Sequence, residues 1–242
     1  MSYFTQSNWA NPEFSQDYRD NADIYIVERM RMLSILQSFY LNLVKNDKKS
    51  SLLDIGCGDG IVTSAIVEVD RLISVTLVDG SEDMLLKAKE RLNGFTNAQY
   101  IHATFQDMIH RDIIDGKFNI VASSMAIHHL AKDEKAEIFK RIYAYLEDGG
   151  YFINIDVVLS PCETLEVWYL KLWQEWMDQK KRVVGIKDNQ FPDIITRYKE
   201  NKDNKPDTLE DQLTLLEDSG FKDVDCYYKY GIFTIYGGRK PV

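Results

Sequence analysis

The sequence predicts an α/β protein: one seven-stranded, mostly parallel sheet closed by a C-terminal antiparallel hairpin, with helices on both faces and a helical insertion. Three observations carry this prediction. Short apolar runs at 51–55, 73–78, 99–103, 118–123 and 151–157 alternate with stretches of helical period. The first run ends in glycines at every second position, Gly56-Cys57-Gly58-Asp59-Gly60, directly before a helical pattern. Two further runs, Lys222–Tyr228 and Ile232–Tyr236, are separated only by a short turn at Gly231, which makes a hairpin.

Bulk properties narrow the class. At 242 residues the chain can bury a large core, and 45% hydrophobic with 28% charged residues is a globular balance. No run reaches the roughly 18 apolar residues of a membrane span. The start, Met1-Ser-Tyr-Phe-Thr-Gln, lacks the basic and apolar regions of a signal peptide. Cys57, Cys162 and Cys226 are odd in number and without metal-ligand spacing, so no metal site and a cytoplasmic location are expected. The net charge of −9 argues against general nucleic-acid binding, which needs a basic surface.

Residues 1–20 carry aromatics (Tyr3, Phe4, Trp9, Phe14, Tyr18) without a period. A helix is expected from Asp23 to about Val44, with Ile26, Met30, Leu33, Leu36, Tyr40 and Val44 on one face. The strand Ser51–Ile55 follows a polar loop and turns through the glycines into a helix over Ile61–Val69. Such a turn leaves backbone N–H groups pointing above it, and glycine permits close approach and positive φ there. A G-x-G-x-x-G fingerprint fails, because its sixth position is Ile61; no Gly-Lys-Ser/Thr of a P-loop follows either. The second strand, Ile73–Val78, ends at Asp79-Gly80-Ser81, nineteen residues past Gly60. An acidic side chain at that strand tip is suited to both hydroxyls of a ribose. Ser81 caps a helix over Glu82–Leu92, with Met84 in its first turn.

The third strand, Gln99–Ala103, runs into Thr104-Phe105-Gln106-Asp107, with His102 inside it as a structural histidine. The fourth, Phe118–Ser123, leads to Ser124-Met125-Ala126-Ile127-His128-His129-Leu130. Asp133 is expected to cap a helix over Glu134–Leu146, and Gly149-Gly150 to end it and reverse the chain into strand Tyr151–Val157. A helix over Thr208–Ser219 precedes the hairpin, whose last strand ends at Gly237-Gly238.

The Asp54-x-Gly56-x-Gly58-x-Gly60 turn, Asp79, the Ser124–Leu130 motif and the Leu146-x-x-Gly149-Gly150 turn together resemble the class I S-adenosylmethionine-dependent methyltransferases, over about residues 50–157 and 207–240. The resemblance implies a Rossmann-like core and S-adenosylmethionine as cofactor. Backbone around Gly56, Cys57 and Gly58 would hold its amino-acid end, with Asp54 ordering the turn or binding the ammonium, and Asp79 with Gly80 the ribose. Met84 and Phe105 would pack against the adenine, Gln106 or Asp107 would hydrogen-bond its exocyclic amine, and Thr104 stands where the family usually has an acid. Ser124 and Met125 would lie beside the methionine part.

The domain reading follows: an N-terminal helical flap at 1–48, the cofactor-binding core at 49–158, a helical insertion at 159–206 and the closing helix and hairpin at 207–242. The insertion carries a helix from about Ser160 to Val184 whose apolar side (Leu165, Trp168, Tyr169, Leu172, Trp173, Trp176) suits a substrate lid, a homodimer face or packing on the sheet. The basic residues Lys180-Lys181-Arg182 and Arg197–Lys205 read as solvated surface. Methyl transfer asks mainly for proximity in a dry site. His128 or His129, with Asp156 on strand five, is the expected general base pair. A small-molecule acceptor is the leading expectation. The chain also looks like the tRNA enzymes of carboxymethoxy-type wobble uridines, and a non-catalytic S-adenosylmethionine-binding module is a third reading.

Overall fold

The computed structural model describes residues 7, 11–46, 49–185 and 194–242. Its strands are β1 (Ser51–Ile55), β2 (Ser74–Asp79), β3 (Ala98–His102), β4 (Phe118–Ser124), β5 (Leu146–Val157), β6 (Lys222–Tyr230) and β7 (Phe233–Arg239). They form one sheet in the order β3-β2-β1-β4-β5-β7-β6. The first five pair in parallel, β7 runs antiparallel to β5, and β6 antiparallel to β7. This is a class I methyltransferase-like α/β fold. The order reverses between β1 and β4, and their C-terminal ends open the crevice where such sheets hold ligands.

The helices are α1 (Pro12–Tyr25), α2 (Arg29–Phe39), α3 (Ile61–Val69), α4 (Glu82–Arg91), α5 (Phe105–His110), α6 (Lys132–Tyr145), α7 (Glu163–Val184), α8 (Ile194–Glu200) and α9 (Leu209–Asp218). Side chains alternate across a strand. Leu52, Val75, Ile120 and Ile153 therefore pack under α1 to α4 and α7, while Leu53, Val121 and Phe152 pack under α5, α6 and α9. Full burial of side chains such as Phe139, Phe152 and Phe221 contributes about 1.5–3 kcal/mol each. Among the described residues, no helix is long and apolar enough to cross a membrane.

The N-terminal helix is not one unit from Asp23. Asn11 caps Glu13, Pro12 occupies the first turn, and α1 runs from there to Tyr25. The chain breaks before Arg29, where Glu28 sits at φ 52. That break turns Met30 outward, leaving it 64% exposed, while Met32 joins Leu33 and Leu36 inside. Tyr3, Phe4 and Trp9 lie outside the described residues, as does 186–193 of the insertion.

Three further boundaries shift for local reasons. Ala131, not Asp133, starts α6, because Glu134 Oε2 accepts the Ala131 N–H at 2.9 Å. Gly149 and Gly150 lie within β5, in a bulge between the Phe118–Leu146 and Ile120–Tyr151 pairings. Gly237 and Gly238 are paired residues of β7 rather than its end; a Cβ on Gly237 would stand 2.1 Å from the Phe152 carbonyl oxygen. In the insertion, α7 turns Trp173, Met177 and Lys181 inward, and Trp168 stays 51% exposed. Lys181 is thus buried rather than solvated. Trp173 Nε1 donates to the Tyr25 carbonyl at 2.8 Å and its ring meets Phe233 and Tyr198 edge-on, which ties α7 to the end of α1.

Candidate active site

The glycine turn is built as a cradle. Gly56, Gly58 and Gly60 all have positive φ, at 61°, 53° and 76°. A Cβ on Gly56 would stand 2.5 Å from Ala126 Cβ and 3.0 Å from the Phe105 ring, whereas one on Gly58 would meet nothing within 4 Å. Gly56 is thus fixed by packing, and Gly58 faces open space. Cys57 lines the same cavity, and burial raises its thiol pKa, so it acts as an apolar wall.

Asp79 ends β2 with its carboxylate across two loops: Oδ2 accepts the Gly58 N–H and Oδ1 the Ser81 N–H, each at 2.8 Å. Burial pushes its pKa up, and those two N–H donors oppose the shift. Ser81 Oγ caps Met84 N, which brings the buried Met84 side chain to the cavity wall. Arg19 of α1 clamps this corner, with Nη1 2.8 Å from Asp83 Oδ2 and 3.6 Å from Met84 Sδ.

Asp54 is fully buried beneath the turn and accepts from Thr63 Oγ1 at 2.7 Å. It does not line the cavity, and burial raises its pKa to about 7. Its place is that of a group ordering the turn. Thr104 caps α5 in a reciprocal box with Asp107, so Asp107 is spent on the cap. Phe105 and Gln106 line the cavity, and Gln106 Nε2 donates to Glu134 at 2.9 Å. His102 Nε2 lies 3.0 Å from the Gly80 carbonyl, which fits a structural role.

At the tip of β4, Ser124 and Met125 follow Ser123, whose hydroxyl donates to the Ile55 carbonyl. Met125 holds φ 52, a strained value for a residue with a Cβ, while its N–H donates to Ile155 O at 2.8 Å. This pinned residue separates two cavities. The first, about 200 Å³, contains the groups just described and reaches Ser7, Arg29, Asp203 and Lys205. The second, about 370 Å³, lies toward β5 and α7 and is walled by Phe14, Tyr25, Trp173, Tyr198 and Phe233. Ile26, Met125 and His129 belong to both.

The structure brings His128 and Asp156 together. Asp156 Oδ2 accepts the His128 N–H at 3.0 Å, and Oδ1 lies 2.5 Å from His128 Nδ1. Asn154 Nδ2 and Val157 N–H also donate to this carboxylate. Facing an acceptor, Nδ1 carries the imidazole proton, which leaves Nε2 as the basic nitrogen. The His129 ring lies 3.9 Å away, with Nδ1 at 3.1 Å from the Asp203 carbonyl; burial and the neighbouring His128 hold its pKa well below the usual value. His128 lines the second cavity.

Sequence reasoning missed most of the second cavity. Arg197 and Lys205, read as solvated surface, line the second and first cavities respectively. Tyr198 also lies in the wall; its hydroxyl is buried with no hydrogen-bond partner among the described residues, and burial raises its pKa. The single aromatic Tyr198 among the cations of 194–205 was the available signal, but its inward turn depends on α8 packing against Trp173. Among the described residues, no group of three or more potential ligands is placed to hold a metal.

Comparison with known proteins agrees with this geometry. A family model described as a methyltransferase domain matches residues 52–150. A carboxy-S-adenosyl-L-methionine synthase of Helicobacter pylori (strain G27) is 25% identical over 204 residues, covering 82% of this chain and 80% of its own length. Among solved structures, an O-methyltransferase family protein from Burkholderia thailandensis superposes with a TM-score of 0.68 at 11% identity, over 98% of this chain and 63% of its own. Human N-acetylserotonin methyltransferase, solved in complex with SAM, gives 0.55 at 16% identity over 96% of this chain and 60% of its own. The chain thus spans about three-fifths of the length of those two solved proteins.

Proposed function

We propose that this chain is an enzyme of the class I S-adenosylmethionine-dependent methyltransferase type and that it transfers a methyl group to a small organic acceptor held in the second cavity; the methyltransferase-domain match over residues 52–150 supports the first part. The observation that carries this reading is the pair of adjoining cavities, which share Ile26, Met125 and His129 as a common wall.

The first cavity fits the cofactor. Gly58 leaves room where a Cβ would intrude, and Asp79 offers a carboxylate at the ribose position; the Cys57 and Gly58 N–H groups are already taken by the Val78 carbonyl and Asp79 Oδ2, so the turn contributes its open shape. Met84 and Phe105 would pack on the adenine, with Gln106 at its edge and Cys57, Gly80, Ser124 and Met125 as the remaining wall; Thr104 contributes as the cap that fixes Phe105. When bound, S-adenosylmethionine supplies an electrophilic methyl group. The chain then orients the acceptor, excludes water and moves a proton. Five aromatic rings exclude water from the second cavity. His128 Nε2 takes the acceptor's proton, and Asp156 holds the ring in the Nδ1–H tautomer and stabilises the imidazolium. His129, kept neutral, shapes the boundary. The 159–206 insertion, through α7 and α8, serves as the lid, and α1, through Phe14 and Tyr25, as a flap over the second cavity.

A second reading is favoured by Arg197 at the acceptor cavity and Lys205 at the cofactor cavity. They suit a carboxylated acceptor or a carboxylated cofactor product, in line with the name of the Helicobacter relative. Incubation with S-adenosylmethionine and panels of phenols, carboxylic acids, thiols and tRNA, read by mass spectrometry, separates the cases. A methylated small molecule, lost in Asp156→Asn while S-adenosylhomocysteine still binds, supports the leading proposal. Carboxylated S-adenosylmethionine, or product only on tRNA, overturns it.

A further inference from the structure

Both histidines touch one short stretch of chain, residues 203–207, which runs from α8 to α9. His129 Nδ1 lies 3.1 Å from the Asp203 carbonyl, and the His128 carbonyl accepts the Lys205 N–H at 2.8 Å. On its other side this strap is held by Lys135 of α6. The Lys135 side chain is 1% exposed; its Nζ donates to the Lys205 carbonyl and, at 2.7 Å, to Asp207 Oδ2.

The contacts close into a ring. Asp207 Oδ2 also accepts Gln212 Nε2 at 3.4 Å, and Gln212 Oε1 accepts the Tyr236 hydroxyl at 3.0 Å. Tyr236 in turn accepts Asn154 Nδ2 at 2.7 Å, and the same Nδ2 reaches Asp156 Oδ2 at 3.3 Å. Asp156 returns to His128. Among the described residues, Lys135 contributes the only cationic side chain to this ring, Lys205 entering it through its backbone. A buried ammonium requires a partner charge and further acceptors, and here the acceptors are the strap itself.

We infer that Lys135 is a positioning residue for the histidine pair: by holding the Lys205 carbonyl and Asp207 it fixes the strap that sets the His129 tautomer and the His128 backbone. This rests on the reading of His128 as the general base and of His129 as the boundary of the acceptor site. The geometry is asymmetric. Asp156 sets His128 from the sheet side, and Lys135 sets both histidines from the strap side. Neither the cofactor nor the acceptor needs to touch Lys135 for its loss to be felt, because a displacement of about 1 Å in a reacting group costs on the order of a hundredfold in rate.

The test uses the ¹⁵N-labelled full chain as wild type, Lys135→Met and Lys135→Met/Asp207→Leu, the last removing both charges so that no unpaired carboxylate remains. Long-range ¹H–¹⁵N spectra report which imidazole nitrogen carries the proton, and the four histidines make a sparse spectrum. In wild type His129 carries it on Nδ1. In Lys135→Met it populates both tautomers, kcat falls at least about tenfold, and the Kd for S-adenosylhomocysteine stays within about threefold. The double variant regains thermal stability but neither the single tautomer nor kcat. An unchanged His129 signal in whichever variant folds, or recovery of both properties in the double variant, overturns the inference. If His128→Gln and Asp156→Asn keep full turnover, the general-base reading fails, yet the imidazole spectrum still decides the role of Lys135.

Discussion

Asp54→Asn isolates the electrostatics of the glycine turn. The carboxyl is fully buried under the turn, with Oδ2 bonded to Thr63 and Oδ1 without a partner among the described residues, and burial raises its pKa from 3.8 to about 7. The folded state therefore holds a proton that the unfolded chain releases above about pH 4. This contribution to stability is complete below the unfolded pKa and is lost as pH rises through the folded one. The slope is about 1.4 kcal/mol per pH unit within that window, and the full span is on the order of 4 kcal/mol. Asparagine keeps the shape and the acceptor for Thr63 but does not titrate. The stability of the variant minus that of wild type should thus climb by about 2 kcal/mol between pH 5.5 and 8, and level off above about pH 7. Urea unfolding at several pH values measures the difference, with other titrating groups cancelling. A difference that stays flat with pH would refute the argument. The same variant should bind S-adenosylhomocysteine within about threefold of wild type at pH 8, since Asp54 lies outside the cavity. A large loss there would make it an ammonium ligand instead.

Asp79→Ala removes the acceptor of two backbone N–H groups and the carboxylate proposed for the ribose. Calorimetry should show S-adenosylmethionine and S-adenosylhomocysteine binding weakened about 10- to 100-fold, as for the loss of one or two charge-assisted hydrogen bonds. Gly56→Ala places a Cβ 2.5 Å from Ala126 Cβ at a φ of +61°, so thermal unfolding should report a loss of about 2–4 kcal/mol together with impaired cofactor binding. Trp173→Phe loses the hydrogen bond to Tyr25 O but keeps most of the ring packing. A stability cost of about 1 kcal/mol and a raised acceptor KM, with cofactor Kd unchanged, are expected from steady-state kinetics and calorimetry. An equal effect on the cofactor would count against a separate acceptor cavity.

The sheet was legible because its signals are local. Apolar runs between breakers set the strands, and the short turn at Gly231 announced the closing hairpin; that β7 and not β6 lies against β5 came from the structure. The cofactor end was legible for a related reason: Gly56, Asp79 and Ser81 each sit at a strand tip, where chain direction alone places them above the sheet. The N-terminal helices were misjudged at Met30, because the break at Glu28 answers to packing against the α3 face rather than to any period in residues 23–44.

His128 and Asp156 lie between. Their positions at neighbouring strand tips were readable, and pairing of β4 with β5 brings them within hydrogen-bond distance. That Asp156 bonds Nδ1 and not the other nitrogen depends on the 3-10 turn at Ile127–His129, which no pattern announces. By itself the sequence determined the fold class and the strand-tip carboxylates, since those depend on short-range order and chain direction, while the cofactor followed from the family resemblance. Only tertiary structure decided the second cavity, the inward turn of Arg197 and Tyr198, and the clasp of Lys135 on the 203–207 strap. These join residues as much as 148 positions apart, as in the Trp173–Tyr25 hydrogen bond of the cavity wall, and their energies exist only once the helices have packed.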